Sequence, residues 1–341
     1  MNKIFITGGA GFIGSAFVRL VLQEEPACHL INFDALTYAG NPDNLTGLDT
    51  ERHYFVRGDI TDREAVLDAL PEECDAIVNF AAESHVDRSI SSAGEFLRTN
   101  VIGTQVLLDC ARERGVKQFV QVSTDEVMGS LPEISDAYFT EESPFAPNSP
   151  YAASKAAAEH LVRAASHTFG LNAIITRCGN NYGPRQFPEK FLPLILANAM
   201  NDEPIPVYGD GQNVRDWIHV DDHCRGIWLA HKMAPSGAIY NFGARNERRN
   251  LDVVNSILEA LGKPRSLIRF VEDRLGHDRR YAIDPSLAEQ ALGWKPLETW
   301  ESGLQKTINW YKNNTAWIER ARSGAYRSYY KKQYGLEVAG A

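Results

Sequence analysis

The strongest constraint on the fold is a short apolar run that ends in a glycine turn. Lys3 to Thr7 reads as a buried strand, Gly8-Gly9-Ala10-Gly11-Phe12-Ile13-Gly14 follows, and Ser15 to Glu24 is amphipathic at helical spacing. Strand, glycine turn, helix is the context that a dinucleotide fingerprint requires. Gly8 permits the tight turn, Gly11 lets the backbone approach a pyrophosphate at the helix N-terminus, and Gly14 lets the helix pack on the strand. The glycines are spaced GxxGxxG rather than GxGxxG, so the loop taken alone is no more than a tight turn. The next strand, Leu30 to Phe33, ends in Asp34, at the distance where an acid accepts hydrogen bonds from an adenosine ribose. An acid there repels a 2′-phosphate, which favours NAD over NADP.

Further strands are expected at Tyr54–Arg57, Ala76–Phe80, Val116–Val122 and Leu171–Arg177, with helices at Asp62–Leu70 and about Ser92–Arg114. This alternation implies an α/β fold, a Rossmann-type doubly wound parallel sheet whose ligands bind at the carboxyl ends of its strands. Asp59 either faces the adenine edge or caps the helix that follows. Ala81 and Ala82 leave room for a flat ring, and Asn100 is a polar residue inside a regular helical pattern.

Chemistry enters at two places. Ser149 suits a helix N-cap and Pro150 its first turn, so Tyr151 and Lys155 share one face near a helix start. A free tyrosine has a pKa of about 10. A nearby ammonium and the positive end of the helix dipole favour its phenolate, which makes the pair a candidate general base toward a hydroxyl. Ser123-Thr124-Asp125-Glu126 closes the fifth strand. Thr124 can bond the oxygen that Tyr151 deprotonates. Two adjacent carboxyls repel when both are ionised, so one pKa should rise, giving a loaded acid beside an ionised base, as an elimination needs. Solvated turn carboxylates are the plainer alternative. The loop Met128–Ser149 is long enough to suggest a role.

Beyond Arg177, glycines, arginines and aromatics cluster at Pro206-Val207-Tyr208-Gly209, Gly211 to Trp217 and Asp273 to Tyr281. Arginines pair with diphosphates and aromatics stack on bases, which points to a nucleotide-bearing substrate. Helices near Leu251–Leu261 and Thr299–Arg322 are expected to pack this part. The division expected is residues 1–177 for the cofactor and 178–341 mainly for the substrate, with some chain returning to the first. A net charge of −9 over 341 residues argues against a nucleic-acid-binding role. Five scattered cysteines without metal spacing suggest reduced thiols, a cytoplasmic protein and no metal. No cleavable signal opens the chain and no apolar run is long enough to span a membrane. The tail Tyr326–Tyr334 is aromatic and basic, and the sequence assigns it no role.

With these residues in view, the chain resembles the extended short-chain dehydrogenase/reductases that act on nucleotide sugars. Among them it is similar to the hexose 4,6-dehydratases that act on dTDP-glucose. The similarity runs from Lys3 to about Tyr311. It is carried most specifically by Ala81-Ala82-Glu83-Ser84-His85-Val86-Asp87-Arg88-Ser89, Ser123 to Val127, Asn180-Asn181-Tyr182-Gly183-Pro184 with Phe187 to Lys190, and Gly276 to Tyr281. The resemblance implies that Tyr151 takes the 4-hydroxyl proton while NAD takes hydride from C4. Glu126 then removes the C5 proton, Asp125 protonates the departing 6-hydroxyl, and hydride returns to C6. The implied cofactor set is Gly8, Gly11, Phe12, Ile13, Gly14, Asp34, Leu36, Thr37, Asp59, Ile60, Ala81, Ala82, Ser84, Thr99, Tyr151, Lys155 and Asn181. The implied substrate set is Ser84, Thr124, Asn180, Lys190, Phe191, Pro206, Tyr208, Arg215, Asn250, Asp273 and His277. A homodimer through helices matching Ser92–Arg114 and Pro150–Phe169 is also implied. Met128, Gly179 and Arg185 depart from the family pattern, where a tyrosine, a serine and an aromatic or histidine are usual. Three readings stay open: a 4,6-dehydratase on a dTDP- or UDP-hexose, a 4-epimerase or decarboxylase of the same superfamily, and a nucleotide-binding sensor that has lost its chemistry.

Overall fold

A computed structural model describes residues 2–134, 136–323, 331, 333 and 334 of the chain. Of the tail Tyr326–Tyr334, Lys331, Gln333 and Tyr334 fall within the described residues and the rest lies outside them. The strands are β1 (Asn2–Thr7), β2 (Cys28–Asp34), β3 (His53–Arg57), β4 (Ala76–Asn79), β5 (Phe119–Val122), β6 (Ala173–Cys178), β7 (Asn180–Tyr182), β8 (Ile205–Tyr208), β9 (Val214–His219), β10 (Ile239–Phe242), β11 (Glu247–Arg249) and β12 (Ile268–Val271). The expected parallel sheet forms, seven-stranded, in the order β10-β6-β5-β4-β1-β2-β3. Its order reverses between β1 and β4, and a doubly wound sheet opens its ligand crevice at that reversal. Both faces are buried, which is why these strands read as unbroken apolar runs. Phe5, Ile77 and Phe119 pack into one layer, while Ile4, Ile6, Val78 and Val120 pack into the other.

Helices α1 (Phe12–Glu24), α2 (Arg63–Ala69), α3 (Val86–Ser91), α4 (Ala93–Phe96), α5 (Thr104–Glu113) and α6 (Pro150–Phe169) flank the first six strands. The helix expected at Ser92–Arg114 is not regular: the chain is already helical from Val86, breaks at Ser92, and runs as a π-helix over Leu97–Gly103 before α5. Asn100 sits in that wide turn. Its amide both accepts the Glu83 N–H and donates to the Glu83 carbonyl, each at 2.9 Å, and donates to Ser154 Oγ at 2.8 Å. A π turn is a common device for aiming a side chain at a functional site. Here it ties the end of β4 to α6.

Helices α7 (Phe191–Met200), α8 (Val220–Met233), α9 (Asn250–Leu261), α10 (Ser286–Leu292), α11 (Trp300–Asn313) and α12 (Thr315–Ala321) complete the described chain. The helix expected at Thr299–Arg322 is two, broken at Asn314. A second core gathers Leu192, Ile195, Trp217, Val254, Trp300 and Tyr311, beside a small β11-β9-β7 sheet and the β12-β8 pair. Cys224 and Ile227 of α8 lie in the same apolar layer as Phe17 and Val21 of α1, and β10 pairs with β6, so chain beyond residue 178 returns to the large sheet. The long loop after Met128 is strapped down: Leu131 bridges Arg280, Phe139 bridges Ile283, and Glu141 accepts the Asn241 N–H at 2.8 Å. Among the described residues no helix is long and apolar enough to cross a membrane.

One buried ion pair anchors α6 to β6. Arg177 donates three hydrogen bonds to the Glu159 carboxylate at 2.7 to 3.1 Å, with both side chains almost wholly buried. Removing one partner of such a pair strands the other charge and costs about 3–5 kcal/mol. Glu159→Ala is therefore expected to lower unfolding free energy by about that much. Breaking the exposed Lys117–Asp75 pair by Lys117→Ala is expected to cost far less, because solvent screens it. Denaturant melts of the two variants make the comparison.

Candidate active site

The cofactor region is built from backbone. Gly8 adopts a left-handed φ of 70°, and a Cβ there would sit 2.6 Å from the Ala81 nitrogen, so the turn between β1 and α1 admits only glycine. Helix α1 begins at Gly11 with no side-chain cap and no acid in its first turn. Its free N–H groups and dipole suit an anion. Asp34, at the end of β2, accepts the Ala10 N–H at 2.9 Å and the Leu36 N–H at 2.8 Å, which fixes the carboxylate at the cleft wall. Burial pushes its pKa up while those two N–H groups oppose the rise. Asp59 does not cap α2; it bonds Thr61, and Asp62 is the cap. One cleft is lined by the glycine loop with Phe12 and Ile13, by Asp34, Thr37, Asp59 and Ile60, and by Ala81, Ala82, Ser84 and Thr99. Leu36 lies between lining residues at a φ of 53°. A cleft lined by an uncapped helix start and a carboxylate fixed by two N–H groups fits NAD.

The same cleft continues to Thr124, Asp125, Glu126, Tyr151, Lys155, Asn180, Asn181 and Lys190. Ser149 caps α6 by accepting the Ala152 N–H at 3.1 Å, which places Tyr151 and Lys155 on its first turns as expected. Lys155 Nζ donates to the Val122 carbonyl at 2.7 Å, and burial pulls its pKa down to about 8. The expected lowering of Tyr151 is not present in the protein alone. Burial raises its pKa well above the ordinary value, and the charges of Glu126 and Asp125 push it further. The desolvation of the phenolate outweighs the ammonium one turn away.

In the carboxyl pair both pKa values rise, where repulsion alone calls for one. Asp125 is fully buried; burial, then Glu126, then Asp216 raise its pKa well above the carboxylate range. Thr124 Oγ1 donates to Asp125 Oδ1 at 3.3 Å, while Oδ2 has no hydrogen-bond partner among the described residues. Glu126 keeps some surface toward the cleft. Burial raises it too, but Arg274, Arg215 and Lys190 pull it back. Two neighbours of the same chemistry thus meet different surroundings, Asp125 with further carboxyls beside it and Glu126 facing cations.

A second group lies toward β8 and β9. Arg215 donates to the carbonyls of Val214 at 2.7 Å and Asp278 at 2.8 Å, with its guanidinium 4.3 Å above the Tyr281 ring. Tyr208 donates to Asp87 at 2.9 Å, Arg274 pairs with Asp87 at 3.5 Å, and His277 bonds Asp273 at 2.6 Å. Lys190 Nζ reaches the Ser84 carbonyl at 2.6 Å. Pro206 lies beside Tyr208 on β8, and Asn250 starts α9 with its N–H on the Asn213 carbonyl at 2.9 Å. Phe191 instead stacks on Trp217 against the second core. Arg274, Asp87 and Asp216 are polar residues of the site that sequence reasoning does not single out. Arg274 lies inside the Asp273–Tyr281 cluster; Asp87 and Asp216 sit within other motifs, and only the fold brings them to the site. The departures have local reasons. Met128 is buried and its sulfur accepts from Arg177 at 3.7 Å. A Cβ at Gly179 would lie 2.7 Å from the Asp216 carbonyl oxygen. Arg185, at a φ of 69°, places its guanidinium 5.4 Å above Trp310.

The sheet, its glycine turn and the Tyr151/Lys155 pair define a nicotinamide-dinucleotide enzyme of the extended short-chain dehydrogenase/reductase type. Residues 5–307 match the sequence model of the GDP-mannose 4,6 dehydratase family, and the chain belongs to that family. It is 45% identical to dTDP-glucose 4,6-dehydratase 1 of Escherichia coli K12, over 97% of this chain and 99% of that one. It superposes on the crystal structure of dTDP-glucose 4,6-dehydratase from Streptomyces venezuelae, which has NAD bound, with a TM-score of 0.90. That match has 49% identity and covers 94% and 99% of the two chains. UDP-glucose 4-epimerase from Thermus thermophilus, complexed with NAD, is similar at a TM-score of 0.85 and 29% identity, covering 92% and 99%.

Asp216 gives a pH test of this electrostatic picture. It is buried behind Gly179, accepts the Asn246 N–H at 2.7 Å, and burial pushes its pKa up to about 6. The unfolded value is about 3.9. Between those values the folded chain holds a proton that the unfolded chain has lost, so this group's contribution to stability falls as pH rises from about 4 to 6. Asp216→Asn is expected to flatten that part of the stability curve, read from denaturant melts across the same pH range.

Proposed function

We propose that the chain converts dTDP-glucose to dTDP-4-keto-6-deoxyglucose, as a nucleotide-sugar 4,6-dehydratase of the hydro-lyase class that works with NAD. The observation that carries this reading is the Asp125/Glu126 pair, in one cleft with Tyr151 and Lys155 and split by its surroundings into acid and base. NAD, held by the glycine loop, Asp34 and the Ala81–Ala82 segment, supplies the hydride store that no side chain can. Tyr151 takes the 4-hydroxyl proton as C4 is oxidised, with Thr124 bonding the same oxygen and Lys155 supplying positive charge. The C4 ketone acidifies C5–H, and Glu126 removes that proton. Asp125 gives its proton to the 6-hydroxyl, which leaves as water. Reduction at C6 and return of a proton to C5 give the 4-keto-6-deoxy sugar with one water lost and no net consumption of cofactor. An epimerase has no use for the acid at 125 or the base at 126.

The substrate assignment extends the site toward Arg215, Asn250, Asp273 and His277, with Pro206 and Tyr208 at the nucleotide end. Cationic Arg215, Arg274 and Lys190 suit a diphosphate. In this reading residues 1–177 hold the cofactor and 178–341 mainly the substrate. A homodimer through the helices of Ser92–Arg114 and Pro150–Phe169 is supported by the exposed Leu97, Ile102 and Phe169 on those segments. A cytoplasmic setting is supported by the five cysteines, all buried and unbridged.

Purified protein is expected to carry NAD already bound, since hydride leaves and returns in one cycle; release of NADP on denaturation would contradict this. Tyr151→Phe is expected to lose C4 oxidation, and with it every later step, while keeping the cofactor. Loss of an acid or base typically costs about 10²–10⁴ in rate. Asp125→Asn and Glu126→Gln should slow elimination by that order and leave oxidation possible, so near-ultraviolet absorbance of bound NADH rises and stays. Glu126→Gln should suppress C5 exchange with deuterated water more than Asp125→Asn does. Mass spectrometry with dTDP-glucose and UDP-glucose reads the loss of one water. Inversion at C4 without that loss replaces this reading with epimerisation.

A further inference from the structure

Gln333 and Tyr334 lie against Tyr208 at the end of β8. Gln333 Nε2 donates to the Tyr208 hydroxyl oxygen at 2.7 Å, and the Tyr334 ring lies 5.8 Å from the Tyr208 ring at an interplanar angle of 43°. Tyr208 ends β8, and its ring meets His277 edge-on at 6.1 Å. A phenol has one proton, and Tyr208 gives it to Asp87 Oδ2 at 2.9 Å. Its oxygen is therefore left as an acceptor, and the Gln333 amide fills that role. Asp87 in turn holds Arg274 at 3.5 Å. Gln333 and Tyr334, in a tail with no task legible in the sequence, thus meet Tyr208, which is hydrogen-bonded to Asp87 and through it ion-paired to Arg274.

We propose that Gln333 and Tyr334 are positioning residues of the nucleotide-sugar site, holding the Tyr208 ring against Asp87 and His277 and so completing the nucleotide end of the pocket. The inference rests on the reading of Tyr208 as a substrate contact. Its observed contacts fall on Tyr208, so its signature is a change in substrate affinity larger than any change in turnover. One hydrogen bond and one ring contact of this kind together amount to roughly a tenfold effect on binding.

The test uses the full-length chain with Gln333→Ala, Tyr334→Ala and the double variant. In the double variant KM for dTDP-glucose should rise roughly tenfold and inhibition by dTDP should weaken in parallel. Turnover at saturation should stay within about twofold, with bound NAD and melting temperature unchanged. In a Tyr208→Phe background, which lacks the acceptor oxygen, Gln333→Ala should add nothing further. If Tyr208→Ala raises KM and the tail variants do not, the inference is overturned and the substrate reading stands. If Tyr208→Ala leaves KM and dTDP inhibition unchanged, both fall. A drop in melting temperature and turnover at constant KM also overturns the inference, because it marks the tail as fold support only.

Discussion

The site depends on a row of buried amides and hydroxyls across the carboxyl ends of three strands. Thr7 Oγ1 donates to Asn79 Oδ1 at 2.6 Å, and Asn79 Nδ2 donates to Gln121 Oε1 at 2.9 Å and to Thr104 Oγ1 at 3.4 Å. Thr7 Oγ1 also accepts the Ala81 N–H at 3.3 Å, and Gln121 Nε2 donates to the Val122 carbonyl at 3.4 Å. That carbonyl is the one that takes Lys155 Nζ. Buried polar groups left unmatched are costly, whereas a satisfied network fixes one arrangement. This one sets β1, β4 and β5 in register, aims the Ala81 backbone at the glycine turn, and supplies the acceptor that orients Lys155. The cofactor wall and Lys155 are thus tied to the same row of side chains.

What the row does for geometry, burial does for charge. Asp125, Glu126 and Asp216 lie deep in protein and are all pushed upward, while Arg215, Arg274 and Lys190 face the same space. In water such neighbours would all ionise. Inside, Asp125, backed by Asp216, is pushed up strongly, while the rise of Glu126 is opposed by the cations it faces. Tyr151 belongs to the same balance. Burial first, and then the charge of Glu126 beside it, favours its neutral phenol.

The legible parts were those written in short spacing. The glycine turn, Asp34, the Ser149 cap with Tyr151 and Lys155, and the Asp125/Glu126 pair each lie within one element or at one strand end, and the structure draws them to one crevice. The π turn at Leu97–Gly103 was not legible, because a wider helical turn leaves no mark in residue type; Asn100 was its single visible sign. The Tyr151 pKa was misjudged for a similar reason. Spacing shows which groups are near, but not how much water is gone. Asp87, Arg274 and Gln333 were unread as partners because the chain separating them is long, and only the fold makes them neighbours.

This division bears on how the fold relates to the reaction. A Rossmann sheet with a Tyr/Lys pair is common to several chemistries, and nothing in the backbone dictates which of them follows. The 3₁₀ turn Asp125–Met128 decides it. Thr124 caps that turn by accepting the Glu126 N–H at 3.3 Å, and its hydroxyl proton goes to Asp125. One threonine therefore holds both the backbone of Glu126 and the carboxyl of Asp125. In the proposed reaction the step from oxidation to elimination rests on these consecutive residues, and the rest of the chain supplies their dry, charged surroundings.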